Sequence, residues 1–203
     1  MSSEIVVEVA TFKASEAYKA DPTVFHPALN MVAASKGVLH IWHGLEHEDR
    51  STVYFLVAWE KVSDHHTLMN DPEYSNILTV FAAVAAGPVN LRHVAFKSIT
   101  IPLAHFAAPF TEVSILTVKE GKSNTGVESI LWDTKINQDG AAFTTGKTVE
   151  KDNEYVSVKG WESIEAHEAA AADPQIKALI EVLEQTVKME LAHVQLTAFN
   201  FKF

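Results

Sequence analysis

Trp59-Glu60-Lys61-Val62-Ser63-Asp64-His65 recurs further along the chain as Trp161-Glu162-Ser163-Ile164-Glu165-Ala166-His167, and the match runs without a gap into Asp71-Pro72 and Asp173-Pro174. The offset is 102 throughout, and Trp, Glu, His, Asp and Pro are identical within 14 aligned positions. A fixed offset of this size marks an internal repeat. The flanks agree with small shifts. Val9-Ala10-Thr11-Phe12-Lys13 resembles Ile115-Leu116-Thr117-Val118-Lys119, Gly37 stands to Gly140, and Leu91-Arg92-His93-Val94 matches Leu191-Ala192-His193-Val194. Two units follow, 1–98 and 110–203, joined by a Pro-punctuated linker over 99–109.

Each unit reads strand, helix, strand, strand, helix, strand. In the first, Ile5–Phe12 is rich in β-branched residues and predicts a strand. Pro22 and Pro27 offer helix starts, and Gly37 offers a stop. Val38–Leu45 and Thr52–Trp59 predict the next two strands, split by the charged turn Glu46–Arg50. Ser63 is placed to cap a second helix that Asp71-Pro72 resets, and Leu91–Lys97 closes the unit. In the second unit Ile176, Leu179, Ile180, Leu183 and Val187 stripe one helix at helical spacing. The fold class is therefore α+β: two tandem ferredoxin-like βαββαβ repeats, each an antiparallel sheet with its helices on one face. The two bare sheet faces bury each other as an α+β barrel within one chain. Each unit keeps a space between its sheet and helices where a small molecule fits.

Composition narrows the partners. The chain has 203 residues, 47% of them apolar, and a formal charge of −10. An acidic surface without a Lys/Arg cluster repels phosphate backbones and anionic lipid, so neither nucleic acid nor membrane is the expected partner. Cysteine is absent, which removes disulfides, thiolate metal sites and Cys nucleophiles. No basic segment followed by an apolar one opens the sequence, and no apolar run approaches the ~20 residues that span a bilayer. A soluble, cytoplasmic protein is expected. Phosphate loops, nucleophile elbows and dinucleotide fingerprints are missing, so the expected cofactor is none.

The ordered set of a first strand ending Thr-Phe-Lys or Thr-Val-Lys, a Gly before the second strand, and Trp-Glu-x-Val/Ile-x-x-His running into Asp-Pro resembles the antibiotic-biosynthesis-monooxygenase type of the dimeric α+β barrel superfamily. The resemblance covers nearly the whole chain, once per unit. It implies a small-molecule enzyme similar to cofactor-independent monooxygenases or polyketide-cyclase-like barrels, acting on a hydrophobic aromatic or polyketide-like compound. The alternative it implies is a non-catalytic ligand-binding or stress-associated barrel. The haem-degrading branch resembles the chain least, since its haem-ligating position holds Leu78 and Ile180. The cyclase branch carries a His-Pro-x-x-His where this chain has Asp71-Pro72-Glu73-Tyr74, so Tyr74 stands in for the second His as an acid.

Ten histidines, seven of them in the first unit, suit proton transfer near neutral pH. His43, on an otherwise apolar strand face, and His65, in the first turn of a helix, are the candidates to remove a phenolic or α-carbon proton. The competing reading makes His43 a hydrogen-bonded core residue and His65, with His167, a surface residue beside a cap. Tyr54 or Tyr74 would hydrogen-bond a developing oxyanion, while Trp42, Trp59 and Phe81 would wall the substrate. His93 and His193 recur in the last strand and read as packing. His40, His43 and His47 do not make a metal site: His40 points to the other face, and ligands four residues apart on a strand lie ~13 Å from each other. In the second unit Tyr54 and Tyr74 become Val156 and Ile176, and His40 and His43 align with Phe143 and Gly146. The second unit therefore reads as a structural partner. Its outer helical faces leave room for a homodimer.

Overall fold

The structure is a computed structural model that describes residues 5–97, 99–132 and 143–200. Among the described residues, nine strands form one sheet: β1 Val6–Lys13, β2 Val38–Leu45, β3 Thr52–Trp59, β4 Asn90–Phe96, β5 Phe110–Val118, β6 Thr144–Thr148, β7 Glu154–Trp161, β8 Val187–Val194 and β9 Thr197–Ala198. Their order is β8-β5-β7-β6-β4-β1-β3-β2-β9. Both four-strand groups thus have the fourth, first, third and second strands side by side, all antiparallel. The helices are α1 Glu16–Ala20, α2 His26–Ala33, α3 Val62–Met69, α4 Tyr74–Phe81, α5 Leu103–Phe106, α6 Asn124–Leu131, α7 Ile164–Ala171 and α8 Pro174–Thr186. Among the described residues, no helix is long and apolar enough to cross a membrane.

Two seams curl this sheet round on itself. At one, β4 pairs with β6, Val94 opposite Thr148. At the other, Glu46 pairs with Val194, and β9 continues along β2 with Trp42 opposite Ala198. The backbone bonds match as well: Val149 N–H donates to His93 O at 2.9 Å, and His47 N–H to His193 O at 2.7 Å. A glycine sits at each seam because a neighbouring chain passes too close for a side chain. A Cβ on Gly146 would lie 2.5 Å from Ala95 O, and one on Gly44 would collide with Gln195 O.

Strand alternation sorts the residues into an inside and an outside. Val7, Val9, Leu56 and Ala58 meet Val113, Ile115, Val156 and Val158 in one buried cluster inside the curl. Each Val, Leu or Ile among them contributes about 1.5–3 kcal/mol when removed from water, so the joint core holds the halves together. The opposite faces carry the helices. Phe12, Phe25, Phe55 and Trp59 pack there in the first half, and Leu116, Val127, Tyr155 and Leu183 in the second.

Local chemistry corrects several sequence expectations. Ser63 lies inside α3 and does not cap it; Lys61 holds that position without a side-chain bond. Its repeat partner Ser163 does cap α7, accepting from Ala166 N. Val187 starts β8 instead of extending the stripe of α8. His43 faces Phe55 as Thr145 faces Ser157, so the counterparts of His43 and Gly44 are Thr145 and Gly146, one residue from the alignment above. Gly140 lies outside the described residues. The linker is packed: Phe106 is fully buried with its ring 4.9 Å from Trp42, and His105 Nε2 bonds Thr144 Oγ1 at 3.1 Å.

Candidate functional site

Glu8 is an acidic residue in the middle of an apolar strand, pointing to the helix side with Val6 and Ala10. A buried carboxyl is costly unless partnered, and two side chains reach it while a third lies opposite on the neighbouring strand. Trp59 at the end of β3 donates Nε1–H to Glu8 Oε2 at 2.9 Å. His65, in the first turns of α3, brings Nδ1 to 3.3 Å from the same oxygen. His93 lies directly opposite Glu8 on β4. The His65 ring stacks on Trp59, with centroids 4.8 Å apart and planes at 10°.

A chain of hydrogen bonds then fixes the tautomers. Glu150, reaching across the β4–β6 seam from the second half, takes both donors of His93: Nδ1 lies 2.6 Å from Oε1, and the backbone N–H donates to Oε2 at 2.9 Å. With its Nδ1 proton on Glu150, neutral His93 has only a lone pair at Nε2. That lone pair lies 2.8 Å from His65 Nδ1, which must therefore carry the hydrogen. Nε2 of His65 is left as a lone pair.

Burial sets the protonation states. It drives the Glu8 carboxyl up to about 7, against the pull of the Trp59 hydrogen bond and with a small push from Glu150. It drives His65 down to about 3, aided by the neighbouring imidazoles, and His93 below its ordinary value despite Glu150. Near neutral pH the imidazoles are uncharged, and Glu8 is poised between its two forms.

The second half repeats the constellation. Trp161 Nε1–H donates to Glu112 Oε2 at 2.9 Å, His193 Nε2 lies 2.8 Å from His167 Nδ1, and His193 Nδ1 lies 2.7 Å from Glu48 Oε1. Glu48 belongs to the first half, and its other contact is again the backbone N–H of the histidine, at 3.0 Å. One detail differs: His167 presents Nε2 to Glu112, at 3.6 Å. Each half therefore supplies the carboxylate that completes the other half's constellation. Glu8-His65-His93 and Glu112-His167-His193 each gather donor atoms within 4.8 Å of one another, but hydrogen bonds already take up both ring nitrogens of His93 and of His193, so neither trio is a set of open metal ligands.

Each constellation forms the polar wall of a cavity between sheet and helices. The first cavity, about 250 Å³, is lined by Glu8, Trp59, His65, Tyr74, Phe81 and further apolar side chains. Of the residues expected to act, Trp59, His65, Tyr74 and Phe81 are thus brought together. His43 shares their face of the sheet but is enclosed elsewhere: its Nδ1 lies 2.6 Å from the Tyr18 hydroxyl, Phe25 packs against its ring, and burial holds it down to about 4. Trp42 and Tyr54 point into the barrel core, on the opposite face, so the sheet separates them from His65. His93 is not a packing residue but the middle of the relay.

Sequence reasoning missed Glu8, Glu112, Glu48 and Glu150. The signal was there. Strand pairing sets Glu8-Val9 level with Glu112-Val113, two residues away from the first-strand alignment above, and Glu48 and Glu150 keep the 102 offset.

No family model and no curated protein sequence matches the chain. Solved structures do. A protein named "Putative monooxygenase" from Fusobacterium nucleatum superposes with a TM-score of 0.70 at 15% identity, covering 98% of this chain and 96% of its own. An anthrone oxidase-like protein gives 0.73 at 14%, covering 100% and 98%. A structure named "Putative Chlorite dismutase" gives 0.59 at 10%, covering 95% of both chains. The chain has the ferredoxin-like α+β barrel fold of these proteins.

Proposed function

We propose that the protein is a small-molecule oxygenase whose N-terminal cavity takes a hydrophobic aromatic substrate with an acidic C–H or O–H. One observation carries this reading: a carboxyl, Glu8, is buried in the wall of an apolar cavity beside a histidine of fixed tautomer, where burial raises its pKa to about 7. A base works best when its pKa lies near the working pH. Ionised Glu8 accepts the proton, held in place by the Trp59 Nε1–H on its Oε2. The electron pair moves onto the substrate's carbonyl oxygen, where the Tyr74 hydroxyl supplies a hydrogen bond. Such an anion is electron-rich enough to react with dioxygen directly. For an anthrone the balance closes without a cofactor: anthrone and dioxygen give a hydroperoxide through a new C–O bond, and loss of water leaves anthraquinone. The anthrone oxidase-like neighbour makes anthrone the first substrate to try.

The same reading makes residues 1–98 and 110–203 two copies of one unit. The test is oxygen uptake with anthrone, followed by quinone absorbance. Wild type should exceed the spontaneous rate, and the near-isosteric E8Q should return to it with a melting temperature close to wild type, while H65A should return to it with some loss of stability. If wild type gives no excess rate while native mass spectrometry shows a retained apolar ligand, the protein is a binding module.

A further inference from the structure

The C-terminal cavity has the same relay in its wall and a different floor. It measures about 140 Å³, close to the 150 Å³ apolar cavity that admits one benzene ring. Leu131, Ile176, Leu179 and Ile180 are among its apolar lining. At the sheet, three repeat positions have changed character. Ser114 stands where the first half has Ala10, Ser157 where it has Phe55, and Lys159 where it has Val57. Lys159 faces Glu112 across the β5–β7 pair, as Val57 faces Glu8 across β1–β3. Its side chain is buried, lines the cavity, and holds the ammonium 4.0 Å from the Trp161 ring. An ammonium ion fixed in an apolar pocket stabilises an oxyanion far better there than in water.

The relay supplies the proton acceptor. Glu48 holds His193 through Nδ1, so His193 Nε2 accepts from His167 Nδ1–H, and the lone pair of His167 is left on Nε2, toward Glu112 and the cavity. We propose that the C-terminal cavity is a second active site, which takes a single-ring phenol or enol, passes its O–H proton to Nε2 of His167 and holds the resulting anion against Lys159. The transfer is complete in itself: the O–H bond breaks, the N–H bond forms, and the imidazolium lies beside the Glu112 carboxylate. This inference rests on the proton-transfer reading of the first site but needs neither dioxygen nor Glu8.

The probe is 4-nitrophenol, whose phenolate absorbs visibly, titrated into the full chain at a pH just below its own pKa. Wild type and E8Q should both turn the bound probe yellow. K159M should abolish the phenolate band and weaken binding at least about tenfold, the loss expected for a buried charge-assisted contact. K159R should restore part of the band, and H167A should suppress it while leaving phenol binding in place. L179W, which fills the cavity and keeps Lys159, should block binding, so the inference does not hang on one variant folding. A band that survives K159M and L179W overturns the proposal. A band lost in E8Q and retained in K159M also overturns it, by placing the probe in the first cavity. Failure of anthrone oxidation with the K159M result intact would sink only the earlier reading.

Discussion

Glu150 Oε1 lies 2.6 Å from His93 Nδ1, although the two residues are 57 positions apart and sit in opposite halves of the chain. The carboxylate also accepts the His93 backbone N–H, so two donors require two anionic acceptors at once. Glu48 holds the same two donors of His193 mainly on one oxygen: Oε1 takes Nδ1 at 2.7 Å and the backbone N–H at 3.0 Å, with Oε2 at 3.3 Å from that N–H.

Glutamine at position 150 has one acceptor and one donor end and no charge, so E150Q sets an N–H against one of the two His93 donors in the present geometry and weakens the hold on the His93 tautomer. We expect kcat for the first site to fall about 10- to 100-fold, the range for carboxylates that orient a working histidine, with KM little changed. Steady-state kinetics separates this from a packing defect, which would move both. E48Q should leave the first site's kinetics intact and reduce phenolate formation in the second.

The first site should become active as Glu8 ionises. Its pKa is raised by burial to about 7, so kcat/KM rises with pH through that value and levels off above it. A pH–rate profile of wild type checks this. In E8Q the rise should vanish, since no carboxyl remains there to titrate.

His43 and His65 carry a stability signature of opposite sense. Burial lowers both folded pKa values from 6.5, to about 4 and about 3. The unfolded chain therefore binds protons first, and the stability that neutral imidazoles provide is present above pH 6.5 and lost as pH falls through 4 and 3. Melting temperature should decline over that interval. H43Q, which keeps a partner for the Tyr18 hydroxyl without a titrating ring, should flatten part of the decline.

At the seam, G146A forces a methyl group into Ala95 O, with Val94 Cγ1 equally close at 2.6 Å. Backbone must shift, and a loss of about 1–3 kcal/mol is expected, the usual cost of overpacking. Denaturant unfolding measures it. Gly121 has open space around its Cβ position, but its φ of +77° disfavours a side chain, so Gly87, with nothing near it and no positive φ, is the neutral control.

Truncating the buried linker ring should be as damaging as any core change. F106A removes a fully buried side chain that touches Trp42, at a cost of about 3–5 kcal/mol. Chemical denaturation of F106A beside L103A, whose side chain is exposed, isolates the effect.

The fold was legible because its signals are local and doubled. The Trp-to-Pro repeat, the β-branched runs and the stripe of α8 each name an element, and a repeated βαββαβ order leaves few ways to cover two bare sheets. The site was half legible. Trp59 and His65 could be placed from the end of a strand and the start of a helix. The alternation of β2 put His43 and Trp42 on opposite faces, yet which face held the cavity depended on how Phe25, Phe55 and Phe81 fill space around His43. Glu150 was out of reach for a different reason. Its partner is set by strand pairing across a seam, and no pattern within one unit encodes which edge of the other unit arrives there.

The two seams have a bearing on assembly. Because Gly44 and Gly146 occupy equivalent positions, an edge of one half cannot distinguish its own chain's other half from that of a neighbour. Opening at residues 99–109 and reclosing between two molecules would restore every pairing and both relays, in an exchanged dimer of two barrels. Refolding from dilute solution should then favour the single chain, and concentrated refolding the exchanged form.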